Sequence, residues 1–285
     1  MLKVRTRVLV AIACLANGVP GLSQTTSRIG TGAAPETEKA LEALPTERVA
    51  LTKTGEFELP NHRALTPTES ACSHTINLAH YIQDLTQQQR SAAHFDNCAF
   101  DDGLEYITSL VDEADQEFSI VDQSQANPIL SPQFQAGLVD VGKALHAIQD
   151  FYAHSNYIEL QVAQPSAADG RSLPFFPVWE SAGRWGILEL KAHGLTSGTW
   201  SLGHPKKCGP GAMAHGDLNK DSNTTPEGRR LIARWHLTLY QLAFATAQRA
   251  SVEFFRFESR RHPVVASACG SELDYLVGGD FRAQP

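Results

Sequence analysis

The amino-acid sequence predicts a mainly α-helical protein. Apolar residues recur at three- and four-residue intervals over residues 67–89, 100–118 and 131–152, which is the spacing of a helix face that packs on a core. No segment shows a sustained alternation of apolar and polar residues, the pattern of a half-buried strand. The chain has 285 residues, 42% of them hydrophobic, and so is long enough to bury a sizeable core.

Sequence signals also mark where the helices begin. Ser131 is a suitable N-cap and Pro132 suits the first helical position, so the best-marked helix is expected to start there. A loop rich in turn-forming residues, 52–68, precedes the first helix of the domain. The remaining expected elements are an irregular excursion over 164–201 with a short helix near 185–193, a loop over 203–223, and a long last helix that begins at Thr225-Pro226.

The first 23 residues have the features of a signal peptide. Lys3, Arg5 and Arg7 precede an apolar segment, 8–19, and Gly21-Leu22-Ser23 is a small-residue cleavage site. Secreted or periplasmic localisation is therefore expected, and cleavage would change the formal net charge from −7 to −10. Residues 24–52 are predicted to be a mobile leader with one short helix at 37–44, and residues 53–285 a single all-α metal-binding domain.

Four cysteines remain after this cleavage, and they are Cys72, Cys98, Cys208 and Cys269. An even number of cysteines in an oxidising compartment predicts one or two disulfides, but the three pairings that four cysteines allow stay open. No CxxC pair is present, so any metal is expected to be held by histidine and carboxylate side chains.

Three polar residues of the central helix carry the strongest functional signal. His146, Asp150 and His154 are spaced i, i+4 and i+8, which places them within about 80° of one another on a single helix face. Imidazole and carboxylate groups in such a wedge can ligate zinc, and a carboxylate between two imidazoles can bridge two metal ions. The alternative is a polar strip satisfied by ordinary hydrogen bonds.

Further histidines and acids make that alternative less attractive, because their clustering is hard to explain by packing. His62 and His94 lie in turn-rich or helix-end contexts, and Asp84 and Asp96 stand near His94. The late part of the chain adds His215, Asp217, Asp221 and His236.

The segment ALHAIQDFYAHSNYIEL, residues 144–160, resembles the signature of the Het-C proteins, which are similar in turn to zinc-dependent bacterial phospholipases C and, more remotely, to zinc-dependent single-strand nucleases. Looser matches surround His62, the block 94–97, the block 218–222 and the segment after His236. The resemblance implies an all-α domain with two or three Zn²⁺ ions that hydrolyses phosphodiesters. The ligands it implies are His62, Asp84, His94, His146, Asp150, His154, and His215 or His236.

The ligand types predict catalytic roles for three carboxylates. Asp150 would bridge two metals, and Asp84 or Asp96 would orient or deprotonate the attacking water; Asn156 or Glu159 would support a ligating imidazole. Two features depart from the family pattern. The expected mature chain does not begin with a metal-binding tryptophan, and the residue four beyond His236 is Tyr240 rather than an acid.

Composition limits the partners that the sequence predicts. The negative net charge disfavours strong binding to a nucleic-acid backbone, so phospholipid or another phosphodiester is the expected substrate and a nuclease is the weaker alternative. Peripheral membrane contact would fit the excursion that holds Trp179, Trp185 and Trp200, although core packing explains these tryptophans better. The other class of function is a catalytically weak toxin, recognition or lipid-contact protein with a structural metal. No later apolar run is long enough for a transmembrane segment.

Overall fold

The computed structural model describes residues 59–67, 71–121, 127–164, 173–200 and 207–270. The predicted signal peptide, the predicted leader and its short helix at 37–44 lie outside the described residues, so the structure does not test them. The domain that can be described is mostly helical, which confirms the predicted fold class.

Ten α-helices and one short hairpin make up the described part of the chain. The helices are α1 (Leu59–Ala64), α2 (Ala71–Gln87), α3 (Ser91–His94), α4 (Phe100–Ile120), α5 (Pro132–His154), α6 (Tyr157–Ala163), α7 (Ser181–Ala192), α8 (His215–Leu218), α9 (Leu239–Arg261) and α10 (Pro263–Cys269). Strands β1 (Leu231–Ile232) and β2 (Leu237–Thr238) pair antiparallel, with Leu231 opposite Thr238.

Helix α5 lies at the centre of the domain and packs against α2, α4 and α9. Its start is as predicted, because the Ser131 hydroxyl accepts a hydrogen bond from the Phe134 amide at 3.4 Å and Pro132 follows. Gly142 allows α2 to approach closely: a Cβ at this position would lie 2.6 Å from the Ala79 Cβ atom. Residues 144 to 154 are all buried, so the polar side chains in this second half of α5 lie inside the protein.

Two local predictions are wrong. The last helix begins at Leu239 rather than near Thr225, because the Thr225 hydroxyl closes a turn by donating to the Asn219 carbonyl at 2.8 Å, and the hairpin follows. The actual N-cap is Thr238, whose side chain forms a reciprocal capping box with Gln241. At the other end of the domain, His62 lies in helix α1 rather than in the predicted loop.

Two disulfides link distant parts of the chain. Cys72 at the start of α2 is bonded to Cys269 at the end of α10, and Cys98 is bonded to Cys208. Of the three pairings that the sequence allowed, this is the one formed. Two disulfides are compatible with an extracellular protein.

The tryptophans of the 164–201 excursion have different surroundings. Trp179 is 6% exposed and its ring contacts Phe254, as core packing requires, whereas Trp185 on α7 is 76% exposed. Among the described residues no helix combines the length and apolar character needed to cross a membrane.

Candidate metal centre

The wedge on α5 is fully buried. His146, Asp150 and His154 each have 0% relative exposure. Charged and polar groups in this position require partners, because burying them without compensation is strongly unfavourable. The partners come from α1, α2, the α3 corner and the loop after α8, and they are imidazoles and carboxylates.

One group of donor atoms surrounds the first turn of the wedge. The His146 Nε2 atom lies 3.1 Å from Asp84 Oδ1, 3.1 Å from Asp150 Oδ2 and 3.3 Å from His94 Nδ1. His94 Nδ1 is in turn 2.8 Å from Asp150 Oδ2. One imidazole N–H cannot donate to all of these atoms at once. Zinc–ligand bonds of about 2.0–2.1 Å would place tetrahedral ligands about 3.3 Å apart. The ligand atoms of Asp84, His94 and His146 all lie within 4.8 Å of one another, with Asp150 beside two of them, so this set suits a shared cation.

The second oxygen of Asp150 faces a different imidazole. His62 Nε2 lies 3.4 Å from Asp150 Oδ1, while His62 Nδ1 donates to Gln149 Oε1 at 2.6 Å. Gln149 is held in turn by donating to the Ser251 hydroxyl at 3.0 Å. A carboxylate whose two oxygens face two separate sets of imidazoles has the arrangement needed to bridge two cations.

His80 joins this side of the centre and was not identified from the sequence. It is fully buried on α2, and a ring nitrogen of His80 lies within 4.8 Å of ligand atoms of His62 and His146. The His62 and His146 rings stack with centroids 3.9 Å apart. The one available signal was the i, i+4 spacing of His80 and Asp84 on the same face of the helix.

A second group of donor atoms lies at the end of α5. Asp96 Oδ1 is 2.8 Å from His215 Nδ1 and 4.0 Å from His154 Nδ1, and His154 Nε2 is 3.1 Å from Asp221 Oδ1. His154 follows Asp150 by one turn, so the two groups are about 6 Å apart along the helix axis. His215 is therefore the late histidine that reaches the centre.

The corner between His94 and Asp96 is unusual in its backbone. Phe95, Asn97 and Cys98 all have φ near +55°, a left-handed conformation that is uncommon for residues other than glycine. Asn97 stabilises the corner, because its amide donates to the Gly198 carbonyl at 2.8 Å and its side-chain carbonyl accepts from the Trp200 amide at 2.9 Å. The disulfide at Cys98 fixes the corner from the other side. The result is that His94 and Asp96 both point into the centre.

Gly198 allows the backbone of His215, at the start of α8, to pack closely against it. A Cβ on Gly198 would lie 2.4 Å from the His215 Cα atom, so a larger residue would displace His215.

Lys220 stabilises the loop after α8. It is fully buried, and its ammonium group donates to the carbonyls of Ser155 and Leu218 and to Glu159 at 2.7–3.1 Å.

The metal-free centre holds protons. Burial disfavours a charged His146, but Asp150 and Asp84 outweigh that effect and raise the pKa of His146 to about 10. Burial likewise opposes protonation of His154, and the carboxylates of Asp150 and Asp221 raise the pKa of His154 to about 10. Without a metal, these two imidazoles therefore carry the positive charge that the buried carboxylates require.

Two other groups show the opposite behaviour. Burial would raise the pKa of the Asp150 carboxyl, but His146 and His154 hold it well below its usual range. Burial and the neighbouring imidazoles of His62 and His146 lower the pKa of His80. His80 is thus neutral, the form in which an imidazole nitrogen can bind a metal.

Three expectations about individual residues are not met. His236 is exposed in the hairpin turn and belongs to neither group of donor atoms. Asn156 bonds to the Gly194 carbonyl and the Thr196 amide, and Glu159 pairs with Lys220, so neither supports an imidazole. Gln149 supports His62 instead. The reason is that α5 ends at His154, which turns residues 156 and 159 away from the wedge.

Comparison with known proteins gives one family match. Residues 66–171, little more than a third of the chain, match the family model described as the VWA7 N-terminal domain. No curated protein and no solved structure matches the chain. The matched segment contains residues 144–160, on which the resemblance to the Het-C proteins depended. That resemblance, and the kinship with phospholipases C drawn from it, is therefore wrong as a family assignment.

Proposed function

We propose that this protein is a metal-dependent hydrolase of phosphodiesters. The observation that carries the proposal is the buried arrangement of Asp84, His94, His146 and Asp150, whose facing nitrogen and oxygen atoms lie 2.8–3.3 Å apart. Such a concentration of donor atoms is unfavourable in the absence of a cation or several bound protons.

The donor types suit zinc. Imidazole nitrogen and carboxylate oxygen are common zinc ligands. Cys72, Cys98, Cys208 and Cys269 are bonded in two disulfides, so they offer no thiolate to a metal. The first cation would be held by Asp84, His94, His146 and Asp150, and the second by Asp96, His154 and His215 with Asp221 close by. His62 and His80 would complete the environment of the first.

Bound cations would supply Lewis acidity toward phosphate oxygens and toward a water molecule. The protein's own carboxylates would orient the attacking water and hold the ligands in place. Asp84 is the most accessible carboxylate of the first group, with 19% of its side chain exposed, so it is the group best placed to orient the attacking water. Asp150 would join the two sides of the first group, because its Oδ2 atom faces His94 and His146 and its Oδ1 atom faces His62.

Phosphodiester hydrolysis fits the overall charge of the chain. A formal net charge of −7 gives little general attraction for an anionic substrate, so phosphate would have to be bound locally by cations. Phospholipid is one such substrate, and a short nucleic acid is another. We also propose that the protein is exported, since the N-terminal sequence and the two disulfides both suit an oxidising compartment.

The extent of burial favours a second candidate, a recognition protein with a structural metal. Structural zinc sites are closed by protein ligands, whereas catalytic sites keep a position open. His62, His80, His94, His146, Asp150 and His154 all have 0% relative exposure. Access to substrate would thus depend on the side where Asp84 reaches the surface.

Metal analysis combined with activity assays separates the two candidates. Protein purified without chelator should contain at least two zinc equivalents and should hydrolyse bis(4-nitrophenyl) phosphate, mixed phospholipid vesicles or a short oligonucleotide. Chelation should abolish this activity and zinc should restore it. Bound zinc without turnover of any of the three substrates would favour the structural metal, and the absence of metal would contradict both candidates. His236→Ala, in the hairpin turn, is the control for effects unrelated to the centre.

A further inference from the structure

A second cluster of ligand-type side chains lies outside the centre described above. Asp115 on α4, Glu258 on α9 and His262 between α9 and α10 each offer one ligand atom, and these atoms lie within 4.8 Å of one another. His262 Nε2 is 2.5 Å from Asp115 Oδ1. Glu258 and His262 are four residues apart, so the helix brings both to one face, and the His262 amide donates to the Glu258 carbonyl at 2.9 Å.

Glu258 is the feature of this cluster that requires an explanation. Its relative exposure is 0%, and neither of its carboxylate oxygens has a hydrogen-bond partner among the residues that the structure describes. A buried carboxylate without hydrogen bonds is among the most unfavourable arrangements in a protein unless a cation or a proton compensates for it.

Arg261 compensates only weakly for a negative charge on this carboxylate. Its guanidinium pairs closely with Asp115 Oδ2, but its nearest nitrogen lies 3.8 Å from Glu258 Oε1. Charge-assisted hydrogen bonds between such groups are about 2.7–2.9 Å long, so Arg261 is bonded to Asp115 rather than to Glu258. Burial, together with the nearby Asp115 carboxylate, raises the pKa of the Glu258 carboxyl to about 8, so without a cation this group holds its proton near neutral pH.

We propose that Asp115, Glu258 and His262 form a separate binding site for a divalent cation, of the kind that takes one imidazole and two carboxylates, such as Zn²⁺ or Mn²⁺. Asp115 Oδ1, one oxygen of Glu258 and His262 Nε2 would be its ligands. Asp115 and His262 remain 23% and 14% exposed in their side chains, so solvent can reach the site although Glu258 is enclosed.

The location suggests a structural role for this cation. It would join α4 to the junction of α9 and α10, and α10 ends at Cys269, which is bonded to Cys72 on α2. The His262 ring also contacts Phe118 of the core, with centroids 5.1 Å apart. A cation here would fix the end of α9, the helix whose Ser251 holds Gln149 beside the main centre.

The test is a metal count on the intact chain and on Glu258→Gln, which keeps the size of the side chain while removing its charge. The variant should lose one metal equivalent and keep the hydrolytic activity of the wild-type protein, because Glu258 is not a ligand of the main centre. Loss of a supporting residue next to a metal weakens binding by about 10–100-fold, so loss of a direct ligand should weaken Zn²⁺ or Mn²⁺ binding at this site by at least ~100-fold.

Matched controls and a second variant keep the outcome clear. Glu253→Gln on the same helix and Asp112→Asn on α4 should keep the full metal content. Asp115→Asn should lose the same single equivalent as Glu258→Gln. An unchanged metal count in both site variants would overturn the proposal, and would show that Glu258 is simply protonated. Loss of metal from Asp150→Asn alone would concern only the main centre, so failure of one site is distinguishable from failure of the other.

Discussion

Asp150→Asn tests the main centre most directly, because Asp150 contacts ligands on both sides. The substitution keeps the shape of the side chain and removes its charge. In the metal-free protein the His146–Asp150 pair, at 3.1 Å, corresponds to about 5 kcal/mol of attraction at an effective dielectric constant of ~20. Breaking a buried pair by removing one partner typically costs about 3–5 kcal/mol.

The measured loss of stability should be near the lower end of this range. The variant can relieve part of the cost by releasing the proton from His146, since Asp84 remains as that imidazole's only near carboxylate in the first group. We therefore expect about 3 kcal/mol less free energy of unfolding with chelator present. For a domain of this size that corresponds to a fall in Tm of about 6–12 °C.

Three measurements on one sample check this prediction. Thermal or urea unfolding with chelator gives the stability, circular dichroism gives the helix content, and metal analysis without chelator gives the occupancy. Helix content should change little, while the variant should lose at least one zinc equivalent and all phosphodiesterase activity. Asp140→Asn is the matched control, because Asp140 is on the same helix but pairs with Lys143 outside the centre.

Two results would refute the reasoning. A stability within 1 kcal/mol of the wild type would mean that Asp150 does not compensate buried positive charge. Full metal content with undiminished turnover would mean that Asp150 is not a ligand. Asp140→Asn should change stability by less than about 1 kcal/mol, as expected for a partly exposed ion pair.

Further predictions follow from the same geometry. Zinc binding at pH 7.5 should release protons, because His146 and His154 have pKa values of about 10 without metal and bind metal only when neutral; calorimetry in buffers of different ionisation enthalpy would detect this, and buffer-independent heats would contradict it. The chelated protein should lose stability as pH rises from 6.5 toward about 10, since both folded-state pKa values are raised and their stabilising protons are lost over that range; a flat unfolding profile would oppose this. Gly198→Ala should displace His215 and remove metal from the second group as measured by metal analysis, whereas His236→Ala should keep all of it; equal occupancy in the two variants would count against the assignment of His215. Deleting residues 24–52 should leave metal content unchanged, because every donor atom identified at the two proposed sites comes from residues 62–262, and loss of zinc on deletion would show that the amino terminus reaches the centre.

Local sequence signals determined the helices and the wedge on α5. Helix periodicity and the Ser131-Pro132 start depend on neighbouring residues alone, so they can be read without knowledge of the fold. The spacing of His146, Asp150 and His154 fixes their common face for the same reason, since any α-helix places residues i, i+4 and i+8 close together. The mainly helical class was therefore predictable.

Local signals failed where a distant partner decided the outcome. Thr225 has the sequence of a helix start, but its hydroxyl closes a turn with Asn219, and the helix begins 14 residues later at Leu239. His80 lies on an apolar helix face, where a histidine of the core and a ligand look alike in sequence. Only the approach of His62 and His146 distinguishes them.

The assembly of the centre was decided by tertiary structure. The sequence did not distinguish His215 from His236 as the late metal ligand. In the structure His215 packs closely on Gly198 and reaches Asp96, so His215 is the one at the centre. The pairing of the cysteines was open for the same reason, because bonding depends on which chain segments meet in space rather than on their order. Sequence specifies which residue types can bind a metal and which of them share a helix face. Their convergence within about 3 Å arises only when α1, α2, the α3 corner and the α8 loop pack around α5, and that packing depends on contacts between residues far apart in the chain.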